Sequence, residues 1–511
     1  MSPYVRTVKT SSGATAVQIV YSSHRGSREI EHLGSARSDA EVELLKAAAR
    51  QRLAAGQGEL DLGLQPAGAG SGGGPLPITS SRMGHLLDAL EHAYRVLGLE
   101  TAAAGDEVFR DLVLARIIEP VSKLDSGRVL GEAGVAAASY PTVNRRLRAY
   151  ARQSWRGKLS AACAAHARLG AASLVLYDVS TLYFETDTGD GFREPGFSKE
   201  RRLEPQITIG LLTDQAGFPL MVHAFEGNMG ETKTMLPAIE SFMTAHQLPD
   251  VTIVADAGMI SEANQKDIEA AGLSFILGAR IPHVPYVVAQ WRREHAGQDI
   301  PDGHIFTQPW PAATDNRRDK IIYYRYKADR ARRALRGIDQ QIAKAEKAVA
   351  GQAPVKRNRF IQLSGGTKTV NRELETKARA LAGIKGYVTN LRACPDGTPV
   401  TAEFVISAYH RLFEIERSFR MSKHDLQARP IYHRKRDSIE AHLTIVFAAL
   451  AISRWIEEHT GWSIRKFVRT ARRYRTIEIQ AGPHVITAAD PLPDDLRTAL
   501  TKITDASCST H

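Results

Sequence analysis

Apolar positions along the chain change period several times, and each change marks a new element type. Residues 1–65 open on a short β segment and pass into a helix from about Asp39. A Gly/Ser/Pro-rich stretch, 66–77, has neither helix nor strand period and is expected to be a flexible linker. From 78 to 170 the helical period dominates, in HLLDALEHAYRVLGL, EVFRDLVLARIIEPVSKL and TVNRRLRAYARQSW. These short helices, one carrying Arg145, Arg146 and Arg148, fit a helix-turn-helix DNA reader and a plain bundle with solvated arginines equally well.

At Ala171 the pattern turns to strands. SLVLYDVSTLYFE, PQITIGLLTD and PLMVHAFEG are three apolar runs, the last two joined by a turn containing Asp214 and Gly217. Helix near 231–246, strand VTIVAD, helix near 261–271 and strand LSFILGA follow. Three strands on short turns and then alternating helix and strand predict an α/β fold, a mixed sheet with helices on its faces. The sheet pattern then stops. Residues 281–383 hold two candidate strands, HIFTQPW and DKIIYYRY, and a polar helix over about 328–349. This stretch reads as an insertion, expected to lie outside the sheet. KGYVTNL resumes a strand, and helices over about 402–423 and 436–459 complete the pattern, so 171–280 and 384–460 together form the core domain. Residues 461–511 are a basic tail with one helix, SIRKFVRTARRYR.

The 511 residues carry a net charge of +11, a balance that favours an anionic partner without requiring one. Three cysteines, Cys163, Cys394 and Cys508, lie too far apart in sequence to suggest a zinc site or a disulfide framework, and a reduced intracellular setting fits. The N-terminus lacks the apolar stretch of a signal peptide, and the apolar run 443–452 is too short to cross a bilayer, so no membrane partner is expected.

Asp178 and Asp256 each stand at the end of an apolar strand run. One such aspartate is ordinarily a cap or half of an ion pair. Two on strands that can be neighbours point to a shared cation, because a buried carboxylate needs compensation. Ala257 and Gly258 leave room beside Asp256. A third ligand is sought on the helix AYHRLFEIERSFRMSK, which offers Glu414 and Glu416. At about 100° per residue, Glu416 shares a stripe with Tyr409, Arg420 and Lys423 beside the apolar face, and Glu414 points away. Glu416 therefore reads as the partner of the aspartates, or as half of an i,i+4 pair with Arg420. A set of carboxylates without a Cys or His cluster suits hard divalent ions. No Gly-rich phosphate loop is present, so ATP use is not expected.

At these residues the chain resembles insertion-sequence transposases of the Asp-Asp-Glu type. One large group of them spaces Tyr, two residues, Arg, three residues, Glu, six residues, Lys along the helix of the catalytic glutamate. Tyr409, Glu416 and Lys423 fall on that spacing; Leu412 occupies the Arg slot, with Arg411 one residue earlier. The departure concerns a DNA contact, not the metal ligands. YDVSTLYFE, FEGNMGETKTM, VADAGMIS and KHDLQARPIYHRKRDSIEAHLTIVFAALAI are similar to other segments of the family, and the likeness spans about 105–460. The strand order is similar to that of the ribonuclease-H-like fold. An insertion before the glutamate is a family feature, and Glu416 lies 160 residues beyond Asp256.

The resemblance implies DNA strand cleavage and strand transfer at the ends of an insertion-sequence element. It implies Asp178, Asp256 and Glu416 as catalytic residues and as ligands of two Mg²⁺ (or Mn²⁺) ions. The implied partners are double-stranded DNA, both terminal inverted repeats and target, and a second copy of the chain when ends are paired. The implied setting is the bacterial cytoplasm at the nucleoid. DNA contacts are expected from Tyr409, Arg420, Lys423, Lys199, Arg434, Lys435 and Arg436. A nuclease of the same fold that cuts without joining, and a non-catalytic repressor descended from a transposase, are the alternatives.

Overall fold

The computed structural model describes residues 3–22, 28–54, 76–170, 173–186, 188–196, 203–230, 233–246, 248, 251–256, 262–311, 319–352, 354, 358–364, 367–394, 396–429, 431, 433–481 and 483–506. Linker residues 66–75, Lys199, Ala257 and Gly258 lie outside them. The chain divides into two compact units, one of residues 94–122 and 140–455, the other of 1–93, 123–139 and 456–511.

The larger unit is built on an eight-stranded sheet. Its strands are β1 (Ser173–Tyr183), β2 (Gln206–Thr213), β3 (Pro219–Glu226), β4 (Val251–Ala255), β5 (Ser274–Ala279), β6 (Ile305–Trp310), β7 (Lys320–Tyr326) and β8 (Ile384–Thr389). The order across the sheet is β6-β7-β8-β5-β4-β1-β2-β3. β1, β2 and β3 are antiparallel neighbours, whereas β4 runs parallel to β1 and β5 parallel to β4. A mixed sheet in this order, flanked by helices, is the ribonuclease-H-like architecture. β2 and β4 are buried along their whole length, which is why they read as continuous apolar runs rather than alternating ones. Gly210 sits inside β2 because a Cβ there would collide with the hydroxyl of Tyr177 on β1.

The insertion does not stay outside this sheet. β7 pairs antiparallel with β8, and β6 with β7, so the segment lengthens the sheet by two strands. The reason is burial. Phe306 on β6, Tyr324 on β7 and Ile384 on β8 pack with Val288 and Ile300 as one apolar cluster, and Trp291 leans against it. The remainder is a satellite in which the helix Ala328–Val349 packs Ile338, Ile342 and Ala345 against Phe360. Trp310 is 55% exposed at the end of β6.

Three helices finish the unit: α1 (Ala402–His410), α2 (Leu412–Arg420) and α3 (Arg436–Thr460). The side chain of Thr401 caps α1 by accepting from the Phe404 amide at 3.1 Å. The helix expected over 402–423 is broken at Arg411, and after Arg420 it widens into a π-type turn over Met421–Asp425. α3 is long and apolar enough to cross a membrane by length and composition, and 94% of its apolar window is buried.

A half-buried histidine gives the unit a pH dependence. Burial, and then the Arg156 guanidinium, push His223 on β3 down to about 4, against a smaller opposing pull from Glu440. A histidine depressed in the fold and ordinary when unfolded leaves stability intact above about 6.5. That stability drains away as pH falls toward 4. From this group denaturant melts of the protein should lose about 3 kcal/mol across that window, and His223→Phe should remove that share of the slope; a wild-type curve flat from pH 6.5 to 4 would refute this.

In the smaller unit, strands Tyr4–Lys9, Thr15–Ser22 and Arg28–Ala36 form an antiparallel sheet. Val17, Ile19 and Ala36 of that sheet pack on Val42 and Ala49 of the helix Asp39–Ala54. A second sheet pairs Ile78–Arg82 with Thr476–Ala481, which pairs in turn with His484–Ala489. Two sequence expectations are corrected here. The 78–170 stretch begins with a strand and is shared between the units. The 461–511 region is not a tail but a folded partner of the N-terminal chain, with helices Ile464–Ala471 and Asp494–Asp505.

Candidate active site

Parallel pairing of β1 and β4 registers Leu176 with Val254. Carried two residues onward, that register sets Asp178 abreast of Asp256 on strands about 4.8 Å apart, with both side chains on one face. Asp178 is not at a strand end as its sequence suggested. It lies in the middle of β1, where pairing with β4 stops and pairing with β2 continues through Leu211. The edge left where β4 ends opens a cleft.

That cleft has a volume of about 280 Å³ and is lined by Asp178, Asp256, Glu416, Lys385, Tyr409 and His410, with Tyr177, Leu412 and Phe413 completing its wall. Glu416 comes from α2, which buries Leu412, Ile415, Ser418 and Phe419 and packs on β1 and β2. The three acids singled out from the sequence thus face one space. Glu414 does not. Its carboxylate meets the Arg454 guanidinium at 3.1 Å and Arg417 at 3.6 Å, so it is paired beneath the helix rather than pointing to solvent. The alternative that Glu416 merely pairs with Arg420 finds no support, since among the described residues Glu416 has no ion-pair partner within 4.0 Å.

α2 is fixed in place by the β2–β3 turn. Asp214 accepts from the Ala216 and Phe218 amides at 2.9 and 2.8 Å, shaping the turn, and Gly217 takes a φ of 82°. Ser418 of α2 donates its hydroxyl to the Gly217 carbonyl at 2.6 Å, and Arg454 of α3 donates to the Ala216 carbonyl.

Tyr409, expected on DNA, faces inward instead. It is 4% exposed, and its hydroxyl donates to Asp256 Oδ1. The break at Arg411 separates Tyr409 from Glu416, yet both line the cleft. One hydrogen bond to a charged group is worth ~1.5–3 kcal/mol, so Tyr409→Phe should slow cleavage about ten- to a hundredfold with DNA affinity unchanged. A drop in affinity measured by mobility shift, with cleavage of bound DNA intact, would return Tyr409 to a DNA-contact role.

Among the other expected DNA contacts, Arg420, Arg434 and Lys435 are exposed. Arg436 is exposed but engaged, with Glu440 at 2.9 Å and the Phe192 ring 4.4 Å below its guanidinium. Lys423 lines a separate small apolar cavity with Phe419, Val446 and Phe447. Sequence reasoning missed Lys385 and His410. The signal for Lys385 was present: a lysine two residues before Tyr387 in an apolar strand shares its face. Burial pushes the Lys385 ammonium below its ordinary range, against the pull of Asp256 and Glu416.

The donors suit a hard divalent ion, all carboxylate oxygen with no thiolate. They are not gathered into a finished cage: among the described residues, no three Asp, Glu, His or Cys side chains stand close enough together to hold an ion. Three like charges around one cleft repel unless a cation lies between them. Asp178 and Asp256 in one cleft fit such an ion, and Glu416 lines the same space.

The transposase DDE domain family matches residues 170–452, more than half of the chain. The chain belongs to this family. Among solved structures, a piggyBac transposase synaptic complex with hairpin DNA matches with 11% sequence identity and a TM-score of 0.37, covering 75% of this chain and 70% of that one. No curated protein matches.

Proposed function

We propose that this transposase cuts DNA at the ends of an insertion-sequence element and joins the freed strand to target DNA, in a metal-dependent reaction. The observation that carries the reading is the convergence of Asp178, Asp256 and Glu416 on one cleft, from two adjacent strands and a helix 160 residues farther along the chain. These carboxylates would hold two Mg²⁺ or Mn²⁺ ions. Bound there, such ions activate the attacking water or 3′-hydroxyl and stabilise the departing oxygen.

The chain's own residues supply the rest. Tyr409 orients Asp256 through its hydroxyl. α2, clamped by Ser418 and Arg454, presents Glu416 to the opposite side of the cleft. Leu412 and Phe413 line the cleft beside the acids. Exposed Arg420, Arg434 and Lys435 would take the duplex backbone, and two copies of the chain would hold the paired ends.

The test is a plasmid carrying the element's two terminal repeats, incubated with the full-length protein and Mg²⁺. Excised element and joined target product are expected. Cuts without joined product would favour a nuclease, and tight end binding without any metal-dependent cut would favour a repressor.

A further inference from the structure

Lys385 stands in the cleft but belongs to none of the three acids. It lies on β8, reached only after the chain has left the core sheet and returned through the insertion. Its Nζ sits 4.4 Å from the centroid of Tyr409 and 5.8 Å from that of Tyr387. Those two rings meet edge to face at 5.1 Å, so they form a wall that holds the ammonium in position. The rings leave its N–H groups without strong acceptors. Among the described residues, Lys385 has no carboxylate within 4.0 Å, although Asp256 and Glu416 both act on its charge. A half-buried ammonium with its donors unspent, facing a cleft rimmed by acids, has a vacancy for an oxyanion. A lysine that served only to balance the carboxylates would be ion-paired with one of them.

We propose that Lys385 binds a non-bridging oxygen of the DNA phosphate at which the strand is cut. The insertion thereby contributes to the phosphate site through the strand that follows it. This rests on the reading of the protein as a DNA-cutting transposase. Acids on one side of a phosphate and a fixed cation on the other leave room for the group to sit between them, with Tyr409 bracing both Lys385 and Asp256.

The experiment measures binding of full-length protein to a duplex bearing the element's end, in chelator, over a range of salt. Lys385→Met, which keeps the stem against Tyr409, should weaken binding and reduce the slope of log affinity against log salt by about one; Lys385→Arg should restore it. A duplex with a neutral methylphosphonate at the cleavage position should bind wild type and Lys385→Met equally. An unchanged slope, or a difference that persists on the methylphosphonate duplex, overturns the proposal. Thermal melting reports whether Lys385→Met is folded; if it is not, Lys385→Gln takes its place in the same comparison. Wild type that neither binds nor cuts end DNA would instead defeat the transposition reading, while wild type that cuts with a slope indifferent to residue 385 would defeat only this one.

Discussion

Asp178→Asn, Asp256→Asn and Glu416→Gln should each lower strand cleavage about a thousandfold or more while leaving end binding intact. Each substitution keeps the side chain's shape and removes the charge that would draw a divalent ion. Contacts to catalytic metal are worth several kcal/mol at the transition state, at about 1.4 kcal/mol per factor of ten in rate. All three acids line one cleft, where Glu416 is exposed and Asp256 accepts from the Tyr409 hydroxyl. Affinity for DNA should hold or rise as negative charge leaves the phosphate's path. Glu414→Gln is the control. It weakens the pair with Arg454 at 3.1 Å, so a stability loss of ~1 kcal/mol is expected with cleavage retained. Cleavage by Glu416→Gln at wild-type rate, with none by a folded Glu414→Gln, would invert the assignment.

Gly217→Ala is expected to damage both the fold and the reaction. Its φ of 82° belongs to the left-handed region, where a side chain costs roughly 1–2 kcal/mol. A Cβ there would also lie 2.8 Å from the Glu414 carbonyl oxygen and 2.9 Å from Arg454 Nη2. The atoms it meets are the backbone of α2 and the arginine that clamps it, so relief requires α2 to move. Overpacking adds about 1–3 kcal/mol, for a total of roughly 2–5 kcal/mol. Because α2 carries Glu416, cleavage should fall more than DNA binding does, even well below the melting temperature. Thermal melts and single-turnover cleavage of bound ends check both halves. A Gly217→Ala protein as stable and as active as wild type would show that the turn does not position the helix.

The parts of this protein that a sequence reveals are those whose pattern is set by neighbours within a few residues. Strands β1 to β5 were legible because burial on both faces makes an unbroken apolar run, and turns such as Asp214–Gly217 punctuate them. Glu416 was legible over Glu414 because helical periodicity separates faces even through a break at Arg411. The insertion's strands were recognised as strands, but their partner was not. Pairing of β7 with β8 joins Ile322 to Val388, and nothing local to either run says that they meet. The same holds for Thr476–Ala481, which finds Ile78–Arg82 across nearly the whole chain and turns an apparent tail into part of a folded unit.

Sequence by itself determined the strand and helix identities, the α/β class and the three acidic candidates, because side-chain periodicity and carboxylate chemistry are properties of short segments. Only the tertiary structure decided that Asp178 and Asp256 stand abreast, that Tyr409 serves Asp256, that Glu414 is spent on Arg454 and that Lys385 joins the cleft. Each of those depends on which distant strands share a register and which helix packs over them. That choice is made by burying the apolar faces of the whole unit together, and no single segment carries it.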